Sequence, residues 1–237
     1  MRLIIDVGNT NIKLAIFKGD LLCKTFVKQK VSKTLIDDIM NSYPAIDVIF
    51  FCNTNQRNKI EEKMFSNYNV IFFYFSNIDH IPFFSSYYSQ LGEDRIALST
   101  GGIFFYGKNV LIIDLGTCIT YDFVLNGKHE GGQISPGLQT RLNSLYQSTS
   151  SLPRLDFVHP NTFIGKSTQD CILSGVFFGI LSELELMIKR YTNEYDLEVI
   201  ITGGDAKYFQ KHMKNVIFDD NLLMKGLNCI LNENIKN

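Results

Sequence analysis

The sequence has no tryptophan, no excess of charge of either sign and no clustered cysteines. Its 23 basic and 24 acidic residues nearly cancel, so it lacks the basic surplus that binding to nucleic acid or an anionic membrane normally needs. Its five cysteines are scattered and odd in number, which excludes a disulfide framework and a Cys-x-x-Cys zinc knuckle. This usage predicts a reducing, cytoplasmic setting.

Long apolar runs are also missing from the sequence as it reads. No stretch approaches the roughly 20 apolar residues of a membrane span, and Asp6 interrupts the N-terminus where a signal peptide would have its apolar region. We therefore expect neither a membrane nor a nucleic acid among the partners. A chain of 237 residues can form two modest domains or one large domain.

One short phrase occurs twice. Leu3-Ile4-Ile5-Asp6-Val7-Gly8 returns as Leu111-Ile112-Ile113-Asp114-Leu115-Gly116, changed only between the acid and the glycine. Each copy is a run of branched apolar residues, typical of a buried strand, that stops at a carboxylate. The glycine lets the backbone turn sharply and lets a ligand approach its N–H groups. Alternating apolar residues follow each turn, so each copy predicts a strand, a glycine turn and a second strand.

A single Asp-x-Gly hairpin is most often an ordinary tight turn. Two copies lie about a hundred residues apart, which is close to one domain length and predicts two related halves, residues 1–108 and 109–237. Two such hairpins could hold a polyphosphate, with backbone amides and hydroxyls on the phosphate oxygens and carboxylates on the cations.

Strands and helices alternate through the rest of the chain, which predicts an α/β fold with mixed or parallel sheets. No low-complexity linker separates the halves. Further strands are expected at residues 21–30, 48–52, 70–75 and 199–202, helices at 34–42, 58–65, 96–105, 138–147, 168–192, 206–214 and 221–231, and loops at 82–91 and 152–161.

Common nucleotide-binding motifs are absent from the sequence. Gly165-Lys166-Ser167 matches the end of a P-loop, but Pro160 stands where the earlier glycine is required, and no strand precedes it. There is no Gly-x-Gly-x-x-Gly. Any nucleotide site must therefore come from the paired hairpins.

Asp94 and Arg95 are the next candidates for chemistry. A carboxylate at the start of a helix could accept the proton of a substrate hydroxyl, while the guanidinium binds an anionic part of the same molecule. The alternative is an ordinary helix-start acid beside a surface arginine, since acids are favoured in the first helical turn. Glu93 adds a second acid, whose like charge would raise the pKa of Asp94.

Six motifs occur together and in order along residues 1–226. They are Asp6-Val7-Gly8-Asn9-Thr10-Asn11-x-Lys13, Gly92-x-Asp94-Arg95, Asp114-x-Gly116-Thr117 with Thr120 and Asp122, Gly131-Gly132-x-Ile134-x-Pro136-Gly137, Gly165-Lys166-x-Thr168 and Thr202-Gly203-Gly204. This set resembles the type III pantothenate kinases, which belong to the superfamily of acetate kinase, sugar kinases, Hsp70 and actin.

The resemblance implies two ribonuclease-H-like domains with ATP in the cleft between them, and transfer of the γ-phosphate to the primary hydroxyl of pantothenate. This is the first step toward coenzyme A. Asp6, Val7, Gly8, Asn9, Thr10, Asn11 and Lys13 would form the first phosphate loop, with Asp6 near Mg²⁺, and Gly116 and Thr117 would form the second. Asp114 would bind a monovalent cation, K⁺ or NH₄⁺.

The resemblance also implies the acceptor site. Asp94 would be the proton acceptor, and Gly92, Glu93, Arg95 and Thr168 would contact pantothenate. A substrate-contacting tyrosine is expected before Gly92, and both Tyr87 and Tyr88 could fill the position; we favour Tyr88. Thr168 is alternatively a plain N-cap of the helix that follows.

Members of this family form homodimers with pantothenate near the subunit interface. Residues 175–186 could supply that interface or could simply form part of the core. Two other functions stay open: a kinase of the same superfamily with a different small acceptor, and a regulatory accessory factor without catalysis. Phosphoryl transfer depends mostly on positioning and charge neutralisation, so glycine turns, cations and one base would suffice for it.

Overall fold

A computed structural model describes residues 1–8, 10–52, 60–81 and 91–235. Its contacts divide the chain into two compact units. The first comprises Met1–Phe105 together with Asn221–Asn237, and the second comprises Tyr106–Asp220. Each unit is an α/β structure built on one five-stranded mixed sheet.

The first unit is organised around the first copy of the repeated phrase. This copy forms the central strand β1, whose residues Leu3, Ile4 and Ile5 are completely buried. The strands are β1 (Arg2–Val7), β2 (Ile12–Lys18), β3 (Leu21–Lys28), β4 (Val48–Cys52) and β5 (Ile71–Tyr74), in the order β3-β2-β1-β4-β5. The helices are α1 (Lys33–Ser42), α2 (Glu93–Tyr106) and α6 (Leu222–Ile235), with 3₁₀ turns at Glu62–Phe65 and Phe75–Asn77.

The second unit repeats this plan around the second copy, β6. Its strands are β6 (Val110–Leu115), β7 (Cys118–Leu125), β8 (Lys128–Pro136), β9 (Glu198–Thr202) and β10 (Ile217–Phe218), in the order β10-β9-β6-β7-β8. Its helices are α3 (Leu138–Ser148), α4 (Thr168–Glu194) and α5 (Ala206–Phe209). One face of this sheet packs in an apolar core with α4, through side chains such as Phe177, Ile180 and Leu184.

The two sheets have the same topology. In each, the central strand is antiparallel to the strand that follows it and parallel to a later strand, β4 in the first unit and β9 in the second. The outer antiparallel strands, β3 and β8, occupy corresponding positions in the two sheets, and so do the outer parallel strands, β5 and β10. This confirms the predicted α/β fold of two related halves, each with its acid at the carboxyl end of the central strand.

The division of the chain differs from the expected domains 1–108 and 109–237 at the C-terminal helix. Contacts place α6 in the first unit, against β1. Arg2 on β1 donates to Asn228 on α6, and a Cβ added to Gly226 would lie 1.8 Å from the carbonyl oxygen of Ala97. No local pattern in the sequence indicates which sheet a terminal helix covers. The packing of α6 could therefore not be predicted from the sequence.

Most predicted elements are present, with shifted ends. The segment predicted as a helix at 58–65 is a 3₁₀ turn at Glu62–Phe65 in its described part, and the helix predicted at 206–214 shortens to α5. Strand β8 was not predicted, because Gly131, Gly132 and Pro136 are typical of loops. An edge strand tolerates such residues, and the ladder between β7 and β8 shifts register between Phe123 and Val124.

Helix α4 corrects the expectation about membrane-spanning stretches. By length and composition it could cross a membrane, with a mean hydropathy of 1.9 over its most apolar 18 residues, so the expectation that no stretch approaches that length was wrong. Core helices of soluble proteins pass the same test, and 44% of this window is buried inside the structure. The buried side chains belong to the core of the second unit.

Candidate active site

Asp6 lies at the end of β1, where the sequence analysis placed it. It is the strand neighbour of Lys13 on one side and of Cys52 on the other, and only 4% of it is exposed. The turn after it is closed by a hydrogen bond of 3.1 Å from the Gly8 N–H to the Asn11 carbonyl. Thr10 and Asn11 are exposed on this turn. The first predicted phosphate loop therefore presents polar groups next to a buried carboxylate.

Three acids of the first unit lie around the thiol of Cys52. The Cys52 Sγ donates to Glu93 Oε2 at 3.4 Å. Burial raises the pKa of the Cys52 thiol well above its usual value, and the charges of Asp6, Glu93 and Asp94 raise it further. The parallel pairing of β1 with β4 and the start of α2 thus bring together acids that are far apart in sequence.

The start of α2 agrees with the Gly-x-Asp-Arg motif. The helix begins at Glu93, so Glu93 and Asp94 both lie in its first turn. The Asp94 Oδ1 accepts from the Arg95 N–H at 2.9 Å. A Cβ added to Gly92 would lie 2.6 Å from that same Oδ1. Glycine at this position therefore leaves room for the Asp94 carboxylate beside the backbone.

Asp114 takes the corresponding place at the end of β6 in the second unit. Its strand neighbours are Thr120 and Thr202, and it is partly buried. Gly203 has a left-handed backbone (φ 98°), and a Cβ on it would lie 2.3 Å from Asp114 Oδ1. Only glycine allows this close approach.

The turn after Asp114 is supported by the end of β8. The Gly137 N–H donates to the Thr117 carbonyl at 3.0 Å, and the Thr140 hydroxyl donates to the same oxygen at 2.6 Å. A Cβ on Gly137 would lie 2.0 Å from the Gly116 carbonyl oxygen. The second predicted phosphate loop is therefore held in one position by the segment that precedes α3.

Thr168 is the first residue of α4 but not its N-cap. That role belongs to Ser167, whose hydroxyl accepts from the Asp170 N–H at 3.1 Å, so the N-cap alternative for Thr168 was wrong. Thr168 instead lines an open pocket of about 780 Å³ in the second unit, together with Arg141 and Lys166. Apolar side chains such as Leu145 and Ile172 share the lining with these polar groups, so the pocket suits a ligand that has both apolar and polar parts.

No group of three or more His, Cys, Asp or Glu side chains in the described ranges could hold a metal ion by itself. A Mg²⁺ ion that is bound mainly by nucleotide phosphates needs only one or two carboxylates from the protein. The acids around Cys52 and the turn at Gly8 fit that requirement.

Three predicted positions cannot be compared with the structure. Asn9 of the first loop and both tyrosines, Tyr87 and Tyr88, lie outside the described residues. Sequence reasoning also missed residues that the structure places beside the site. Cys52 gave no local signal, because only strand pairing brings it to Asp6. The support of Gly116 by Gly137 likewise depends on a contact between separate segments.

Comparison with known proteins identifies the family. A model of the type III pantothenate kinases matches residues 2–190. A relative of that description from Flavobacterium psychrophilum is 40% identical over 236 residues, covering 96% of this chain and 97% of its own. Another, from Christiangramia forsetii, is 39% identical over 243 residues and covers 99% of both chains. The chain belongs to the type III pantothenate kinase family.

Solved structures agree with this fold. A Campylobacter jejuni protein described as a Baf family transcriptional activator is 26% identical, with a TM-score of 0.63 over 99% of this chain and 100% of its own. A Sinorhizobium meliloti protein described as a 2-dehydro-3-deoxygalactonokinase has a TM-score of 0.57 at 11% identity over 98% of this chain and 99% of its own, which shows the shared fold alone. The chain thus shares its overall fold with both of these proteins.

Proposed function

We propose that this chain transfers the γ-phosphate of ATP to the primary hydroxyl of pantothenate, giving 4'-phosphopantothenate and ADP in the first step of coenzyme A synthesis. The observation that carries the proposal is membership of the type III pantothenate kinase family over most of the chain. The duplicated acid-and-glycine turns and the acids at the start of α2 support it.

ATP is bound by the two glycine turns. The first phosphate loop is formed by Asp6, Val7, Gly8, Asn9, Thr10, Asn11 and Lys13. The second is formed by Gly116 and Thr117. Backbone N–H groups at such turns bind phosphate oxygens without a side chain in the way. Asp6 would hold Mg²⁺ near the phosphates, where the ion would offset their charge. Lys13, the strand neighbour of Asp6, places a cation on the same hairpin.

Asp114 binds the monovalent cation, K⁺ or NH₄⁺. Its position at the end of β6 matches that of Asp6 at the end of β1. Gly203 brings its backbone close both to the Asp114 carboxylate and to the Leu115 carbonyl, because a Cβ on Gly203 would lie 2.3 Å from an oxygen of each. Such an ion favours carboxylate and carbonyl oxygens as ligands, which are the groups present there.

Asp94 accepts the proton of the acceptor alcohol. The alcohol oxygen forms a bond to the γ-phosphorus while the bond to the β,γ-bridging oxygen breaks, ADP leaves, and the proton passes to the Asp94 carboxylate. In a loose transition state this carboxylate orients the hydroxyl as much as it deprotonates it. Pantothenate is contacted by Gly92, Glu93, Arg95, Tyr88 and Thr168. The Arg95 guanidinium is suited to bind the carboxylate of pantothenate.

The protein acts as a homodimer in the cytoplasm. Exposed apolar groups in the second unit support the dimer: Phe163 and Ile164, before α4, are 71% and 73% exposed. Within residues 175–186, Gly175 and Gly179 have no atom within 4 Å of an added Cβ, so a second helix could approach closely. Sedimentation should show a dimer that Gly179→Arg weakens. A monomeric wild-type protein would contradict this part of the proposal.

One assay tests the function. Purified protein is incubated with ATP, Mg²⁺ and pantothenate, in K⁺ and then in Na⁺, and the product is identified by mass spectrometry. We expect phosphopantothenate and ADP in K⁺ and little of either in Na⁺. Asp94→Asn should lower turnover about 10²–10⁴-fold, while Asp38→Asn, an exposed acid on α1, should leave it unchanged.

The same assay separates the alternatives. Phosphate transfer to a sugar but not to pantothenate would show another kinase of the superfamily. A wild-type protein that transfers phosphate to no small acceptor would favour a regulatory factor. Either result ends the pantothenate proposal. Loss of the K⁺ response in Asp114→Asn, with residual activity in both salts, is the specific test of the cation site.

A further inference from the structure

A hydrogen-bonded network in the second unit centres on Glu183 of α4. Its Oε1 accepts from the Tyr121 hydroxyl at 3.0 Å and from the Ser135 hydroxyl at 2.5 Å. Its Oε2 forms an ion pair with the Arg141 guanidinium. The side chains of Glu183 and Arg141 are 25% and 23% exposed. One carboxylate thus joins β7, β8, α3 and α4.

Arg141 extends the network to the backbone at the end of β8. Its Nε donates to the Pro136 carbonyl at 2.7 Å, and its own N–H donates to the Gly137 carbonyl at 3.0 Å. Together with the bond from Ser135 to Glu183, these contacts hold three consecutive residues, 135–137. Glu183 and Arg141 therefore fix the position of this segment relative to α4.

The segment 135–137 in turn supports the second phosphate loop. The Gly137 N–H bonds the Thr117 carbonyl, and Gly137 has no room for a side chain against Gly116. Thr140, one residue before Arg141, donates to the same Thr117 oxygen. A shift of segment 135–137 would therefore move the backbone of the Gly116-Thr117 turn with it.

The charge of Glu183 is maintained by this arrangement. Burial alone would raise the pKa of its carboxyl, but the hydrogen bonds from Ser135, Arg141 and Tyr121 outweigh burial and lower the pKa below its ordinary value. Two half-buried charges are a costly way to fill space, because an apolar pair of similar size often packs at least as favourably. Precise placement of the neighbouring backbone is a benefit that an apolar pair would not provide.

We infer that Glu183 and Arg141 are positioning residues for nucleotide binding, acting through Ser135–Gly137 on the Gly116-Thr117 turn. Neither side chain needs to touch the nucleotide. The inference rests on the proposed role of Gly116 and Thr117 in ATP binding. It assigns a function to two residues that none of the sequence motifs includes.

The test measures the dissociation constant of Mg-ATP by calorimetry, in the absence of any acceptor. Glu183→Gln keeps the shape of the side chain and removes its charge, and Glu183→Leu removes the hydrogen bonds as well. A displaced loop costs affinity steeply, so we expect the dissociation constant to rise roughly 10-fold in Glu183→Leu and less in Glu183→Gln. Glu194→Gln, an exposed carboxylate near the end of α4, is the matched control and should bind like wild type.

A double-substitution cycle tests whether the pair acts as one unit. Arg141→Met should weaken Mg-ATP binding about as much as Glu183→Leu, and the double variant should be no worse than either single variant, because all three disconnect the same segment. A purely structural role would lower the melting temperatures of the Glu183 variants with no change in nucleotide affinity.

The outcomes are separable from those of the proposed function. Dissociation constants within twofold of wild type in the folded Glu183 variants would overturn the inference, even with lower melting temperatures. A wild-type protein that binds Mg-ATP but does not phosphorylate pantothenate would overturn the proposed acceptor and leave this inference intact. A wild-type protein that does not bind Mg-ATP would overturn both.

Discussion

Gly137 and Gly116 meet backbone to backbone: a methyl group on the Cα of Gly137 would lie 2.0 Å from the Gly116 carbonyl oxygen. No flexible side chain is available to yield, so the turn itself must move. We expect Gly137→Ala to destabilise the protein by about 1–3 kcal/mol and to weaken Mg-ATP binding about 10-fold or more. Thermal melts and calorimetry measure the two effects.

Gly204→Ala is the control for that substitution, since no atom lies within 4 Å of an added Cβ at Gly204 and its backbone is not in the left-handed region. It should melt like wild type. Equal losses in the two variants would contradict the explanation by close approach.

Asp122 and His129 form a completely buried pair between β7 and β8, with Asp122 Oδ1 2.8 Å from His129 Nε2. Removing one partner leaves a polar group without that bond in the interior, so His129→Leu should lower the free energy of unfolding by about 3–5 kcal/mol. Replacing both residues by leucine should recover much of this loss, because neither polar partner of the pair is then left in the interior. Urea unfolding measures the free energy of unfolding of both variants and shows which is more stable. A double variant less stable than His129→Leu would contradict it.

Glu183 should make the stability depend on acid. Its pKa in the folded state is lowered from 4.5, so its ionised form stabilises the fold above that pH, and the stabilisation is lost as the pH falls through the lower folded value. At neutral pH the charged contacts with Arg141, Ser135 and Tyr121 should contribute about 1.5–3 kcal/mol. The difference in melting temperature between wild type and Glu183→Gln should therefore shrink below pH 4.5. A difference that is constant with pH would show that the charge is not involved.

The cysteines should separate into two classes by reactivity. Burial raises the pKa of Cys229 to about 11, and that of Cys52 is raised well above its usual value, so neither forms the reactive thiolate readily. Cys23, Cys118 and Cys171 are exposed. Iodoacetamide followed by peptide mass spectrometry should modify these three first, and Cys52 and Cys229 only after unfolding. Early modification of Cys52 in the folded protein would contradict the described burial.

The central strands could be predicted from the sequence because their signal is local. An apolar run ending in an acid and a glycine defines β1 and β6 without reference to any other segment. The positions of Asp6 and Asp114 at the ends of these strands follow directly. The repeat also predicts two related halves, and the strand orders of the two sheets agree with that prediction.

The contacts between distant segments could not be predicted from the sequence. Cys52 reaches Asp6 only through the parallel register of β1 and β4, and Glu183 reaches Arg141 only when α4 packs against α3. Neither pairing produces a local signal in the amino-acid composition or in the spacing of apolar residues. Strand β8 was missed for a related reason, since its glycines and proline are acceptable only at the edge of a sheet.

Helix α6 comes last in the sequence but packs in the first unit, and this affects the order in which the two units fold during synthesis. During synthesis from the N-terminus, the strands of the first unit leave the ribosome long before the helix that packs on β1. All segments of the second unit emerge as one uninterrupted stretch, so it can reach its final structure while the first is still incomplete. The earliest part of the chain should therefore be the last to become resistant to protease.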